Sequence, residues 1–228
     1  MATNKEKHII DSWMQNAKPW ISAISNAEIE SRKLITNQAI IDTVLKQRPL
    51  TVLDIGCGEG WLARALGTAG VSVQGIDVVP ELVEQAGQLG SGTFQVLSYE
   101  ELAMEAFTEQ FDVAVCNFSL LGDESVNYVF QSISKVVHAE GYFIVQTMHP
   151  VAASAAQEYE DGWRSGSWAG FSKQFTNPPP WYFRTMETWK ALFADYGMDL
   201  LEIKEPLFPG TDTFASVIFV GQVKRIRS

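Results

Sequence analysis

The residues best placed to do chemistry lie in Val52-Leu-Asp-Ile-Gly-Cys-Gly-Glu-Gly-Trp61, followed by Gly75-Ile-Asp77. An apolar run ends, three glycines let the backbone turn closely past a ligand, and a helix begins. Asp77 closes the next apolar run, where a carboxylate can accept both hydroxyls of a ribose. Three nucleotide readings compete. A dinucleotide fingerprint needs Gly-x-Gly-x-x-Gly, but its third glycine is replaced here by Trp61, whose indole would spoil close helix–strand packing. A phosphate-binding loop needs Gly-Lys followed by Ser or Thr, and the chain has no such sequence. The third reading takes Asp54 two residues before Gly56-x-Gly58-x-Gly60, which sets a carboxylate near an amine rather than a backbone cradle around a pyrophosphate. A further candidate is His149, in Met148-His149-Pro150. A histidine there either deprotonates a hydroxyl or amine near neutral pH, or is a hydrogen-bonded loop residue that shapes the pocket. His8 and His138 have no comparable placement, and no His/Cys/Asp cluster has metal-ligand spacing, so no metal is expected.

The elements that must position these groups follow from hydropathy. Residues 1–48 read as helical, with Ile41, Val44 and Leu45 on one stripe and Arg48-Pro49 as the stop. From Thr51 short apolar runs alternate with amphipathic helices. The strands are expected over Thr51–Ile55, Val71–Ile76, Thr93–Leu97, Phe111–Cys116 and Gly141–Thr147. The helices between them include one carrying Trp61, Leu62, Ala65, Leu66 and Ala69, one opening at Pro80, one from about Tyr99, and one marked by Val126, Val129, Phe130, Ile133 and Val137. Mostly apolar strands alternating with helices predict a doubly wound α/β fold, a parallel sheet covered on both faces. The ligand then belongs at the carboxyl ends of the strands, near the point where strand order reverses. A helix over Glu187–Tyr196 and strands over Asp199–Glu205 and Phe214–Val223 complete the pattern, the last two as an antiparallel pair at one edge.

Composition bounds the function. The 228 residues suit one large domain, or one domain with a lid. With 27 acidic against 17 basic side chains the net charge is −10, which argues against nucleic acid as a partner. The basic tail Lys224-Arg225-Ile226-Arg227 reads as a solvated terminus. No stretch approaches the roughly 18 to 20 apolar residues of a membrane span, so no membrane association is expected. Cys57 and Cys116 stand outside any Cys-x-x-Cys motif and read as free thiols. With no secretory leader in sight, a cytoplasmic location is expected.

Taken together at this spacing, the motifs resemble those of class I S-adenosylmethionine-dependent methyltransferases, over roughly residues 35–150 and more loosely through the final strands. Asp54-Ile-Gly-Cys-Gly-Glu-Gly60 resembles the family's first motif, Asp77 its ribose-binding acid, and Phe111-Asp-Val-Ala-Val-Cys-Asn117 its fourth-strand motif. The resemblance implies a seven-stranded, mostly parallel sheet whose last strand is antiparallel. It implies S-adenosylmethionine as cofactor and S-adenosylhomocysteine as product. By the same resemblance, Asp54 with Gly56, Cys57, Gly58, Gly60 and Trp61 holds the methionine end. Asp77 binds the ribose, and Val78 packs beside the adenine. Ser98 and Tyr99 supply the adenine contacts, where the family often has Asp and a small residue. Asn117 and Phe118 line the space near the sulfonium. Arg32 is a candidate for the cofactor carboxylate or a substrate acid.

Residues 148–186 break the rhythm and are expected to form a cap insert in a methyltransferase domain spanning 49–228. Trp13 and Trp20 before the sheet, and Trp163, Trp168 and Trp181 in the insert, suggest that residues 1–48 and the insert form a lid over a small aromatic-lined pocket. Trp20, Trp181, Tyr182, His149 and Arg184 are the candidate substrate contacts, with packing of the insert or a dimer contact as the competing reading of the aromatics. The stiff Asn177-Pro-Pro-Pro-Trp181 run is set apart from the base-methylating Asn-Pro-Pro-aromatic box, which belongs directly after the fourth strand. The expected activity is methyl transfer to oxygen or nitrogen of a small-molecule acceptor by a monomer or homodimer. A non-catalytic adenosyl-binding module and a protein methyltransferase are the alternatives.

Overall fold

The computed structural model describes residues 4–104, 107–154 and 157–225. Ile226 and Arg227 of the basic tail lie outside the described residues. Seven strands form the main sheet: β1 (Thr51–Ile55), β2 (Ser72–Asp77), β3 (Thr93–Val96), β4 (Phe111–Asn117), β5 (Val137–Thr147), β8 (Met198–Lys204) and β9 (Val217–Val223). Their order is β3-β2-β1-β4-β5-β9-β8. Neighbours from β3 to β5 are parallel, while β9 runs antiparallel to both β5 and β8. β9 therefore inserts between β5 and β8, one step in from the edge. The chain winds outward from β1 to β3, then restarts on the other side of β1 with β4, so the loops leaving β1 and β4 diverge and open a crevice between them.

Period-two alternation explains how one sheet carries two cores. On β4, Val113 and Val115 face one side, and Ala114 and Cys116 face the other. The first side packs against α3 (Asn37–Lys46) through Ile40 and Val44, and against α4 (Trp61–Thr68) through Leu62, Ala63 and Leu66. The second packs against α7 (Glu124–Val136) and α9 (Met186–Asp195). Phe130 of α7 is its hub, with edge-on contacts to Phe143 at 5.1 Å and Phe193 at 5.2 Å. Both cysteines are buried and free.

The N-terminal segment divides where the sequence reading has a single unit. α3 is part of the sandwich, so the expected lid of residues 1–48 shortens to what precedes it. That portion comprises α1 (Asn4–Gln15), α2 (Ala17–Ser25) and a π-helical turn over Arg32–Thr36. α2 rests on the start of α5 (Pro80–Leu89), with Ala17 packed against Val79 and Leu82.

α1 is tied to the insert. Asn16, fully buried, donates from Nδ2 to the Thr176 carbonyl at 2.8 Å and accepts the Thr176 N–H at 2.9 Å. Ser12 Oγ donates to the Asn177 carbonyl at 2.6 Å, and His8 meets the Asn177 side chain at 2.9 Å. The insert contains a two-stranded ribbon, β6 (Gly162–Arg164) with β7 (Trp181–Phe183), so the proline run becomes a strut between that ribbon and α1.

Replacing Asn16 by Ala removes both bonds to Thr176, at about 1 kcal/mol or more for each. Trypsin cleavage after the exposed Lys173 is expected to accelerate about tenfold or more, read by mass spectrometry of a timed digest. An unchanged cleavage rate would show that these bonds do not hold the insert down.

Candidate active site

A cavity of about 530 Å³ opens at the crevice between β1 and β4 and runs beneath α1, α2 and the insert. This falls within the roughly 300–1,000 Å³ of small-molecule sites. One end is walled by the glycine loop, the end of β2 and the start of α5. The other is walled by α1, the loop leaving β4, the end of β5 and the insert.

The loop's three glycines have φ of +76°, +56° and +81°, the left-handed region that disfavours side chains. A Cβ on Gly60 would lie 3.0 Å from Ala86 and Phe94, whereas one on Gly58 would project to within 3.6 Å of Trp20 Nε1 at the cavity wall. Gly58 thus keeps a side chain out of the space a ligand would use. Asp77 stabilises the turn: its oxygens accept from Gly58 N and Val79 N, both at 2.9 Å. Each carboxylate oxygen retains a lone pair, and Asp77 lines the cavity, so a diol can still be bound there.

Behind the loop the polar groups are under-partnered. Asp54 is 2 % exposed and lies beneath the lining rather than in it, and its Oδ2 has no hydrogen-bond partner. Burial, with Asp77 and Glu59 nearby, pushes its carboxyl up to about 8. Glu59, also 2 % exposed, holds Arg64 at 2.9 Å through Oε1 and leaves Oε2 unpaired. Asn117 Oδ1 is buried without a partner as well. On the opposite side, Arg32 lies between Trp61 and Trp20, 4.5 and 5.6 Å from their ring centroids. Its Nε binds Asn37 at 3.1 Å, its second terminal nitrogen is buried and unpaired, and burial lowers its pKa to about 10. Three orphan acceptors and one orphan guanidinium nitrogen form a donor–acceptor set complementary to a zwitterionic amino acid, which wants acceptors for its ammonium and a donor for its carboxylate. A diol-binding acid at the end of β2 extends the match to the rest of an aminoacyl nucleoside.

Phe118 follows Asn117 with φ +54°, a strained conformation for an aromatic residue, held by its N–H to the Gln146 carbonyl at 2.8 Å. The loop it opens is clamped from three directions. Glu6 of α1, 5 % exposed, accepts the Asp123 N–H at 2.7 Å and the Ser125 hydroxyl at 2.8 Å. It supplies the carboxylate that the N-terminus of α7 lacks locally, where Asp123 makes no side-chain cap. Tyr182 N–H donates to the Leu121 carbonyl at 2.8 Å, and Arg184 donates to the Gly122 carbonyl at 2.7 Å and to Asp123 at 3.0 and 3.1 Å.

Most of the expected site residues do line the cavity: Trp20, Arg32, Gly56, Cys57, Gly58, Trp61, Asp77, Val78, Ser98, Tyr99, Asn117, Phe118 and Trp181. Gly60 is packed against Ala86 and Phe94 instead. Ser98 and Tyr99 have other uses for their hydroxyls. Ser98 Oγ meets Glu101 at 2.7 Å at the start of α6 (Tyr99–Met104), and Tyr99 Oη donates to the Ser119 carbonyl at 3.1 Å. Tyr99 therefore offers the cavity its ring.

His149, Tyr182 and Arg184 are not among the lining residues. His149 is 2 % exposed and stacked on Phe214 at 3.8 Å. Its Nδ1 accepts the Val151 N–H at 3.2 Å, which leaves Nε2 to donate to Glu205 at 2.8 Å. Both ring nitrogens are engaged away from the cavity, so the expectation of a base at His149 is not carried forward. Tyr182 and Arg184 act behind the loop, where Arg184 spends its charge on Asp123 instead of a substrate acid. Glu6, Ile9, Ile10 and Tyr128 line the cavity and were not anticipated. Nothing local could reveal Glu6, whose partners lie 117 and 119 positions away.

Comparison with known proteins bears on the family and the fold. The family model described as a methyltransferase domain matches residues 46–190. A ubiquinone biosynthesis O-methyltransferase of Paraburkholderia phymatum is 28% identical over 153 residues, covering 64% of this chain and 65% of that protein. The one from Pseudomonas syringae pv. tomato is 35% identical over 103 residues, 43% of this chain and 44% of its own length. The chain thus matches less than two thirds of these relatives' length. Among solved structures, the 1,6-didemethyltoxoflavin-N1-methyltransferase of Burkholderia thailandensis superposes with a TM-score of 0.65 at 15% identity, covering 99% of this chain and 92% of its own. The magnesium protoporphyrin IX methyltransferase of Synechocystis PCC 6803 gives 0.65 at 17%, covering 98% and 99%. At such identities these two structures speak for the fold.

The raised Asp54 carboxyl has a measurable consequence. Folded chains keep this proton up to about pH 8, against 3.8 for an ordinary aspartate, so between those values the folded state binds more protons than the unfolded. Stability is therefore lost as pH rises through this window, and Asp77, also raised, adds to the slope. The melting temperature of the ligand-free protein is expected to fall between pH 5.5 and pH 8.5, and Asp54→Asn to remove most of that fall. An equal slope in the variant would place the buried proton elsewhere.

Proposed function

The chain belongs to the class I S-adenosylmethionine-dependent methyltransferase family, and from that premise we propose that it transfers a methyl group from S-adenosylmethionine to oxygen or nitrogen of a small-molecule acceptor. The observation that carries the reading is the continuity of the cavity, which passes from the glycine loop and Asp77, past Asn117 and Phe118, into an aromatic end roofed by α1 and the insert. Small-molecule acceptors are also named for the two structural neighbours above.

When bound, S-adenosylmethionine supplies an electrophilic methyl on a positively charged sulfur, which an acceptor lone pair takes as the carbon–sulfur electron pair returns to sulfur. The chain's own residues bind and orient. Arg32 meets the carboxylate through its unpaired nitrogen. Asp54 acts through the loop it supports, with Asn117 as the nearer acceptor for the ammonium. Asp77 takes the ribose hydroxyls, and Val78 and the Tyr99 ring flank the base. Phe118, held in its strained conformation, and Met148 beyond β5 border the space between the two ends of the cavity. The roof of Trp13, Trp20 and Trp168, with ring centroids 5.1 and 5.8 Å apart across Trp13, excludes water from that space.

A cytoplasmic location belongs to the same reading. Two buried free thiols support a reducing compartment, and no described helix is long and apolar enough to cross a membrane. A monomer or homodimer is proposed, without a metal.

The test is calorimetric titration with S-adenosylmethionine, S-adenosylhomocysteine and NADH, alongside Asp77→Ala. Micromolar binding of both adenosyl ligands is expected, weakened about tenfold or more by the variant as hydrogen bonds to a charged group are lost, with no binding of NADH. Absence of adenosyl binding would sink the proposal.

A further inference from the structure

The far end of the cavity is one-sided in its charge. Its walls are the aromatic faces of Trp13, Trp168, Phe171 and Trp181, and the ionisable groups beside them are the carboxylates of Glu6 and Glu124. Among the described lining residues the single cation is Arg32, which sits at the other end between Trp61 and Trp20. The cations of the surrounding elements lie outside the lining. Arg184 is held by Gly122 and Asp123 behind the loop, and Lys5 lies over Trp163 at 5.3 Å. Arg164 lies over the Phe183 ring at 3.8 Å, with one terminal nitrogen on the Glu158 carbonyl and the other buried and unpaired. The N-terminal N–H groups of α7, the one backbone feature here suited to an anion, are already taken by Glu6. The whole chain carries a net charge of −10, which at long range favours the approach of a cation over that of an anion.

Resting on the methyl-transfer reading, we propose that the acceptor is a ring-bearing amine: a flat apolar body held among the tryptophans, with a basic nitrogen drawn to the carboxylates. A ring stacks or packs edge-on against indole faces, and an ammonium is attracted by those faces and by the exposed Glu124, with Glu6, already bonded at the start of α7, adding its charge from behind. A carboxylate or phosphate on the same body would enter a wall of its own sign, with no counter-charge among the described residues that line this end. The chemistry agrees with the placement of His149. A neutral amine brings its own lone pair, so no histidine in the cavity is required. The bound ammonium first loses one proton to water; the freed nitrogen lone pair forms the new bond to the methyl carbon, the carbon–sulfur pair goes to sulfur, and the extra N–H proton of the methylated ammonium then also passes to water.

Three probes that share one ring and differ in charge test this on the protein loaded with S-adenosylhomocysteine: tryptamine, tryptophol and indole-3-propionate, followed by calorimetry at low and high salt. Tryptamine is expected to bind about tenfold or more tighter than indole-3-propionate, with tryptophol between them, and the gap to shrink as salt rises. Glu124→Gln should cut the advantage of tryptamine over tryptophol about threefold, the scale of an exposed charge pair, and leave tryptophol unchanged. Equal or tighter binding of indole-3-propionate, an unaltered tryptamine advantage in the variant, or failure of all three to bind would each overturn the proposal. Loading comes first. Failure to bind S-adenosylhomocysteine would sink the methyl-transfer reading and this inference with it, whereas loading followed by preference for the carboxylate overturns the inference alone.

Discussion

Three carboxylates, those of Asp54, Glu59 and Asp77, are packed around one glycine loop, and among the described residues Arg64 and Arg32 oppose them. Burying like charges this closely is unfavourable unless protons, backbone N–H groups or a cationic ligand offset them. Asp77 is met by two backbone N–H groups and Glu59 by Arg64, while Asp54 has an oxygen with no partner. The loop's curvature, the glycines that permit it, and the position of Arg32 across the cavity all follow from holding these groups ready for a ligand that brings charge of its own. The π-helical turn from Arg32 to Thr36 fits this constraint, because the extra residue in the turn re-aims one side chain without moving α3 off the sheet.

The parts of this arrangement that were legible in the sequence share a physical property: they are local. A strand that must be apolar, a turn that must be glycine and a helix that must start announce themselves within ten residues, which is why Asp54 to Trp61 and Asp77 lie where they were expected. The alternation implied a point where strand order reverses, but its place between β1 and β4 is set by the strand order, which the alternation does not specify. The parts that were not legible depend on partners remote in sequence. His149 follows β5 as expected, but Glu205 and Phe214 claim its ring. Arg184 is basic and near aromatics, as a substrate clamp would be, but Asp123 and the Gly122 carbonyl claim its guanidinium. Composition cannot distinguish a cation facing a cavity from one bracing the loop behind it.

The aromatic residues show the same division. Their abundance in the N-terminal helices and the insert suggested a shared surface, and the edge-on contacts from Trp20 through Trp13 to Trp168 and on to Phe171 form one. What fastens that surface is polar: Asn16, Ser12 and Glu6 reaching for backbone groups of Thr176, Asn177 and Asp123. Side-chain bonds to backbone specify position, and they add to the small apolar cluster of Ala17, Val79 and Leu82 on which α2 rests.

Those fastenings span 117 to 165 positions of chain. Closing loops of that length costs entropy before any contact repays it, and the roof contributes few such contacts. The sandwich, with its short crossovers and two interdigitated cores, can assemble without it. α1 and α2 leave the ribosome before their partners in the insert, which are made only after β5, so these contacts cannot form until most of the sheet has been synthesised. Local opening of a unit fastened mainly by side-chain bonds to backbone costs less than opening the sheet, so the physical expectation is that access to the cavity follows the opening of α1 and α2 and not global unfolding.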